Sequence, residues 1–550
     1  MISRDKLRLT LGLGAAIGVI VIGGSMAGVA TGAQGGGCGA MDEDVTAEES
    51  ALRGPEKTVV KKNTTVSDSD GGQQEPPPPT ICPKGMAPDR DTGECVKYGW
   101  SVPEKLSNLG SKAKGLEYVS GPDLHWSGEE LVWFAFAIGH QENAKRHVKA
   151  VSYTLGQGIG LSWNLTKLGV DLMSETNLTP MDPRVVASDK GDALFVWYTQ
   201  DTTNKKGDLF ARYYDAKAGT VYPTHTVEGG KDDAQAFDLA MDGDGNATIA
   251  WVQANALDNP TPWAEQTLKA AFFSFSGSWS FNQKIMTAHL LHTFNHISLA
   301  SSPSGNSVLL WEQKSNGTDE APTLNAKVHL AGTEWPANKN VEPAISGPAL
   351  GFDSCVDDSG RTVALWQDGG NLWANVYHPQ SGVWGVPHLL DKGLEPVSVF
   401  PQSYAASVGC DGKIAWAIWR RGREIKVRRY HSGSWFLTEP PILFPLGTSI
   451  KDVDLALTTA SDSQPGRAFI ATTSKYDGVI TRSVRHWNPG PSWFKGAWSE
   501  ATVLAALKEE EANIQSAKIA VSKGGRAMDI WVKKDKGTST FNLWGSVYAP

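Results

Sequence analysis

The chain has 550 residues, of which 40% are hydrophobic and 20% charged, and its formal net charge is −8. This balance excludes a collagen-like or coiled-coil fibre, and nothing in it favours nucleic acid as a partner, which needs a basic face. The 21 Trp and 58 Gly suit an all-β protein with many turns.

At the N-terminus, Arg4, Lys6 and Arg8 precede an uncharged run from Leu9 to about Gly37, the arrangement of an export signal. The run exceeds the roughly 7–15 apolar residues of a cleaved signal and reaches the roughly 20 that span a bilayer. Three fates fit residues 1–38: cleavage after Ala33, retention as an anchor, or lipidation at Cys38. Gly35-Gly36-Gly37-Cys38 resembles the bacterial lipoprotein lipobox in its small residues, but has no Leu three residues before the Cys. In each case the basic end starts inside and the remainder lies outside, so the expected location is extracytoplasmic and membrane-attached, whether outer membrane, periplasm or cell surface. Residues 39–80 are rich in Asp, Glu, Ser, Thr and Gln and end in Pro76-Pro77-Pro78-Pro79. With so few large apolar residues they read as a disordered tether with a stiff end.

Five cysteines are an odd number for an exported protein. Setting Cys38 aside for lipid leaves two pairs. Cys82 and Cys95 bracket a short loop in segment 81–98, and Cys355 and Cys410 occupy the opening strands of two consecutive repeats. The alternative for Cys355 and Cys410 is two buried free thiols, because adjacency alone does not set the Cβ spacing.

From residue 99 to 550 one pattern recurs: an apolar strand, an Asp/Ser/Gly turn, a Trp-bearing strand, a third strand of the form Leu-x-Ala, and a closing aromatic. The turn glycines are Gly128, Gly191, Gly245, Gly305, Gly360, Gly412, Gly466 and Gly525. Trp197, Trp251, Trp311, Trp366 and Trp531 each lie six residues after one of them, with Trp133 and Trp419 one residue off the spacing. The third strands align at Leu209, Leu268, Leu324, Leu372, Ile425, Val479 and Leu543, the first at Val148. A unit of about four short strands repeated at roughly 50 residues predicts a propeller blade, here eight of them. The last unit stops after its third strand, while Gly99-Trp100-Ser101-Val102-Pro103 looks like Gly382-Val383-Trp384-Gly385-Val386-Pro387. The N-terminal strand is therefore expected to complete the eighth blade and close the ring, and the regular Trp residues to be wedges between blades.

These repeats resemble the Trp-bearing β-propellers of exported bacterial proteins. Ala187-Ser188-Asp189-Lys190-Gly191 followed by Trp197 is distantly similar to the docking motif of the eight-bladed quinoprotein dehydrogenases, with a longer Gly-to-Trp spacing and without their adjacent cysteines. The Asp-box of sialidases and the Gly-His and Trp-Asp pairs of WD repeats are not matched. The resemblance implies architecture rather than activity.

Three sets of residues stand out as candidate sites. Asp242, Asp244 and Asn246 place oxygens at alternate positions, as in the first half of a calcium loop, but no Glu follows at the twelfth, and the same residues suit a turn. Arg420, Arg421, Arg423, Lys426, Arg428 and Arg429 make one basic hairpin, either a grip for an anionic ligand or a solvated face. His289, His292 and His296 are close but irregularly spaced before a strand, and read as loop residues, with a metal site as the alternative. No catalytic set emerges. The expectation is a non-enzymatic binding or scaffolding propeller of the cell envelope, without cofactor apart from calcium, holding an envelope protein or glycan. The inserts Asn255–Gln266 and Ser315–Pro322 are its expected contact surface. The alternative is a carbohydrate-active or other hydrolase with its site at the central channel.

Overall fold

The run Thr362–Asp368 (TVALWQD) is apolar from Val363 to Trp366 and is buried at every position. A strand buried on both faces belongs to the middle of a sheet that is itself covered on both sides. The third strands instead alternate, as Gly207–Asp215 does in its first half. A computed structural model shows what these strands build. It describes residues 86–88, 95–97 and 99–107, and from 117 to 549 all but a set of segments, of which 165–177, 255–265, 341–349, 395–405 and 459–466 are the longest.

Blade 1 consists of Glu117–Ser127, Leu131–His140, Arg146–Thr154 and Gly158–Asn164, antiparallel and in that spatial order. The same meander recurs in blades 2 to 7, which open with Leu178–Ala187, Asp233–Met241, His292–Ser301, Leu350–Val356, Ala406–Cys410 and Ser449–Leu457. Blade 8 runs Ile514–Val521, Ala527–Lys534 and Phe541–Ala549, and its fourth place is taken by Gly99–Trp100 and Glu104–Lys105. The protein is an eight-bladed β-propeller.

The two ends of the ring meet as the sequence leads one to expect. Gly99 pairs with Ala549 and Trp100 with Tyr548. Beyond the strand, the Ser101 amide donates to Val547 O at 2.7 Å and the Leu106 amide to Leu543 O at 2.8 Å. Buried Ser107 both donates to Asn542 Oδ1 and accepts from the Leu543 amide. The Trp100 ring lies against Tyr548 and, across the blade boundary, Phe469.

The core is eight separate clusters, one at each blade boundary. Trp197, Trp251, Trp311, Trp366, Trp419 and Trp531 are all at most 3% exposed, and each belongs to the cluster shared with the preceding blade. A buried Trp removes about 150–250 Å² from water, several kcal/mol at about 25 cal/mol/Å². Two alignments shift on inspection of the register. Phe136 faces Lys149 as Trp366 faces Trp373, so Phe136 is the wedge of blade 1. Trp133 points the other way, toward blade 2, where its indole N–H donates to Gly191 O at 3.1 Å. In blade 7 the wedge position is Thr472, which faces Ser483, so its third strand aligns at Arg482-Ser483-Val484 rather than at Val479. The longer hairpin at Tyr476–Val479 displaced the spacing.

A cross-strand row of three residues faces each boundary near the turn end. Ala187, Ala193 and Tyr214 form it in blade 2, Met241, Ala247 and Phe273 in blade 3, and Val521, Ala527 and Tyr548 in blade 8. Blades 1, 5 and 6 end the row in Tyr153, Tyr377 and Tyr430. In blade 4 the row is Ser301, Ser307 and His329.

The hairpin Met86–Pro88 with Cys95–Lys97 precedes the propeller strands and pairs Pro88 with Cys95. Cys38, Cys82 and the side chain of Cys95 lie outside the described residues, as do residues 1–80.

Candidate functional site

The opening strands line the centre of the ring, and four of them carry an Asp four residues before the turn that follows. Asp123, Asp238, Asp353 and Asp454 belong to blades 1, 3, 5 and 7. Each Oδ2 accepts the backbone N–H of the next blade's opening strand: Val185 at 2.9 Å, Leu299 at 2.8 Å, Val408 at 2.9 Å and Ile519 at 3.0 Å. An inner strand has no sheet neighbour on its channel side, so its N–H groups there need another acceptor, and every odd blade supplies one to the even blade after it. The even blades carry Arg184, Ser298, Ser407 and Lys518 at the same place. Arg184 Nη1 donates to Asp238 Oδ1 at 2.6 Å, and Ser407 donates to Asp353 Oδ2 at 2.8 Å. Burial pushes Asp123 up in spite of nearby Lys518 and Arg184, and it pushes Asp353 up as well. Lys518 is raised by the charge of Asp454 and, less, of Asp123. The sequence carried this ring as an Asp in every second unit, a two-blade period that is hidden when units are compared one by one.

The expected calcium residues come together, but on one another. Asp242 Oδ1 accepts the amides of Asp244 and Asn246, and its Oδ2 accepts the Asn246 side-chain amide. Asn246 Oδ1 accepts the Phe275 amide, and Asp244 pairs with Lys190 at 2.8 Å. Asp357 closes the matching turn of blade 5 in the same manner, through the amides of Ser359 and Arg361. Among the described residues no three His, Cys, Asp or Glu side chains form a group able to hold a metal.

The basic hairpin is divided between two boundaries. Toward blade 5, Arg421 and Lys426 bind the two oxygens of Asp391 at 3.1 and 3.0 Å, and the Trp419 indole donates to the same carboxylate at 2.8 Å. Those hydrogen bonds overcome burial and hold the Asp391 carboxyl below the usual range. Toward blade 7, Arg420 donates to Ile450 O, and buried Arg429 lies between the rings of Trp416 and Trp487 at 5.0 and 4.8 Å. Arg423 donates to Phe444 O, and burial lowers Arg428. Cation–π stacking and interblade pairing thus account for much of this charge.

Cys355 and Cys410 form a disulfide between the opening strands of blades 5 and 6, with Cα atoms 5.6 Å apart. Its reach is what consecutive inner strands provide. His289 and the side chains of His292 and His296 lie outside the described residues, as do residues 255–265 and 316–322 of the two inserts.

One buried ion pair had no sequence signal of its own. Arg482 replaces the apolar residue that starts the core of other third strands, and both its side chain and that of Asp529 in blade 8 are 0% exposed. Arg482 Nη2 and Nε bind the two Asp529 oxygens at 2.6 and 2.9 Å, and Nη1 reaches Thr473 Oγ1 and Asp452. Burial works to lower Arg482, and the charge of Asp529 outweighs it.

No protein-family model matches the chain, and no curated protein matches it. Among solved structures, a Hadza microbial sialidase is similar at 9% identity over 76% of this chain and 76% of that one, with a TM-score of 0.38. The β-propeller domain of the Trilobed protease from Pyrococcus furiosus is similar at 12% identity over 72% of this chain and 98% of that domain, with a TM-score of 0.39. A protein of unknown function from Dyadobacter fermentans gives 9% identity, coverage of 79% and 95%, and a TM-score of 0.36. Likeness at this level carries no argument about chemistry.

Proposed function

We propose that this chain is an exported, membrane-tethered propeller that holds an envelope protein or glycan without turning it over. The observation that carries the reading is the commitment of the channel acids: Asp123, Asp238, Asp353 and Asp454 each accept a backbone N–H of the next blade. Carboxylates so occupied make a hub that fixes blade positions, and recognition then falls to the outer faces and their loops. Export is supported by the basic residues and apolar run at the N-terminus and by the Cys355–Cys410 bridge, which is at home in an oxidising compartment. Lipid on Cys38 would tether the chain, and residues 39–80 would let the propeller stand off the membrane. Calcium at Asp242, Asp244 and Asn246 would have to displace the contacts that close their turn, and the proposal does not draw on it.

The full chain, purified from membranes, is incubated with envelope glycans, with solubilised envelope proteins and with glycoside and ester substrates. Retention of a glycan or envelope protein without product is the expected result. Turnover that Asp353→Asn abolishes would replace this reading with a hydrolase acting at the channel.

A further inference from the structure

Between blades 3 and 4 lies a cleft of about 830 Å³, within the range of about 300–1,000 Å³ typical of small-molecule sites. It exists because blade 4 breaks the row that closes the other boundaries. Where blades 2 and 3 present Tyr214 and Phe273 to the preceding blade, blade 4 presents His329, and Ser301 stands where those rows begin with Ala187 and Met241. Among the described residues, the apolar cluster at this boundary has Trp311 as its one aromatic member. The cleft is lined by polar groups: Lys327 and His329 stand two apart on one strand and so on one face, Ser301 and Ser307 hydrogen-bond to each other at 2.8 Å, and Thr248 lies across from them on blade 3.

The lining identifies a ligand class. Lys327 supplies an ammonium and burial lowers its pKa, a desolvation that a bound anion would offset. His329 adds a ring nitrogen and already meets Thr333 O at 2.7 Å. The two carboxylates at the cleft do not oppose an anion at full strength, since Asp242 accepts three N–H bonds within its turn and Asp244 is paired with Lys190. Three hydroxyls suit a polyhydroxylated ligand, and half-buried Phe272 gives the blade 3 wall an apolar surface for a sugar ring. The volume is too large for a bare inorganic ion. We propose that this cleft binds a sugar acid or sugar phosphate, with the anionic group on Lys327 and His329 and the hydroxyls on Ser301, Ser307 and Thr248. This assignment does not rest on the reading of the chain as a tethered propeller that holds a partner.

Calorimetric titration of the full-length chain with glucuronate, glucose 6-phosphate, glucose and inorganic phosphate tests it, with melting temperature as the control for folding. Glucuronate or glucose 6-phosphate, or both, should bind, with glucose and inorganic phosphate at least tenfold weaker; the tighter of the two names the anionic group. Lys327→Met, which keeps the aliphatic stem, should weaken the anion at least tenfold. His329→Tyr, which restores the plug of the other blades, should abolish binding with an unchanged or higher melting temperature. Absence of binding by both sugar anions, equal binding of glucose, or wild-type binding in both variants overturns the proposal.

Discussion

Arg482 and Asp529 show how one polar residue inside a blade boundary changes what its neighbour can be. Arg482 stands where Leu372 and Leu543 stand in blades 5 and 8, so its charge is tolerable only because Asp529 faces it across the boundary. Arg482→Leu alone should cost about 3–5 kcal/mol by leaving Asp529 buried without its partner, whereas Arg482→Leu with Asp529→Leu should return to within about 1 kcal/mol of wild type or exceed it. Chemical denaturation of wild type, both single variants and the double variant checks this, and additivity of the two single changes would contradict it. Asp353 supports a test of a different kind. One of its oxygens holds Ser407 and Val408, and Asn in its place loses an acceptor, at a cost of about 1–3 kcal/mol. Its carboxyl is raised by burial above 3.8, so ionisation penalises the folded chain more than the unfolded one. That penalty is present above the raised value and is relieved as pH falls through it toward 3.8. The stability advantage of wild type over Asp353→Asn should therefore widen between pH 7 and pH 4, and a constant difference would show that Asp353 is not raised.

At the scale of strands, the disulfide between the opening strands of blades 5 and 6 closes a loop of 55 residues. Replacing both Cys355 and Cys410 by Ser should cost roughly 2–4 kcal/mol, read as a lower denaturation midpoint, while adding reductant should leave the double variant unaffected. A midpoint equal to wild type would mean that the bridge is absent in the purified protein. The strand meander and the interblade Trp residues were legible in the sequence because they recur at nearly fixed offsets from a turn glycine, and the disulfide because two cysteines fall on the opening strands of consecutive units. Phe136 was not legible, because a neighbouring Trp133 offered a closer match to the pattern. Arg482 was hidden by the longer hairpin of blade 7, which moved the apparent alignment by three residues. The basic hairpin was visible as a run of charge, but the alternation of a strand sends its members to opposite boundaries, a separation that composition alone conceals. The channel acids carried no signal at the one-blade period, since Asp recurs at that position only in every second unit.

For the whole molecule, closure decides whether eight marginal blades behave as one body. Each boundary cluster buries its residues only because the next sheet covers them, so an open ring would expose one cluster and leave two sheet edges unpaired. The cleft between blades 3 and 4 and the faces proposed to hold a partner are both geometric consequences of the closed ring. The strand Gly99–Trp100 and the contacts of Ser101 to Ser107 hold the first and last segments of the propeller together. The measurement that tests this most directly compares the melting temperature of the full chain with that of two truncations, one lacking residues 99–107 and one lacking residues 41–79. Closure by the N-terminal strand predicts a fall of several degrees or more for the first and none for the second. Equal melting temperatures for the two truncations would contradict it.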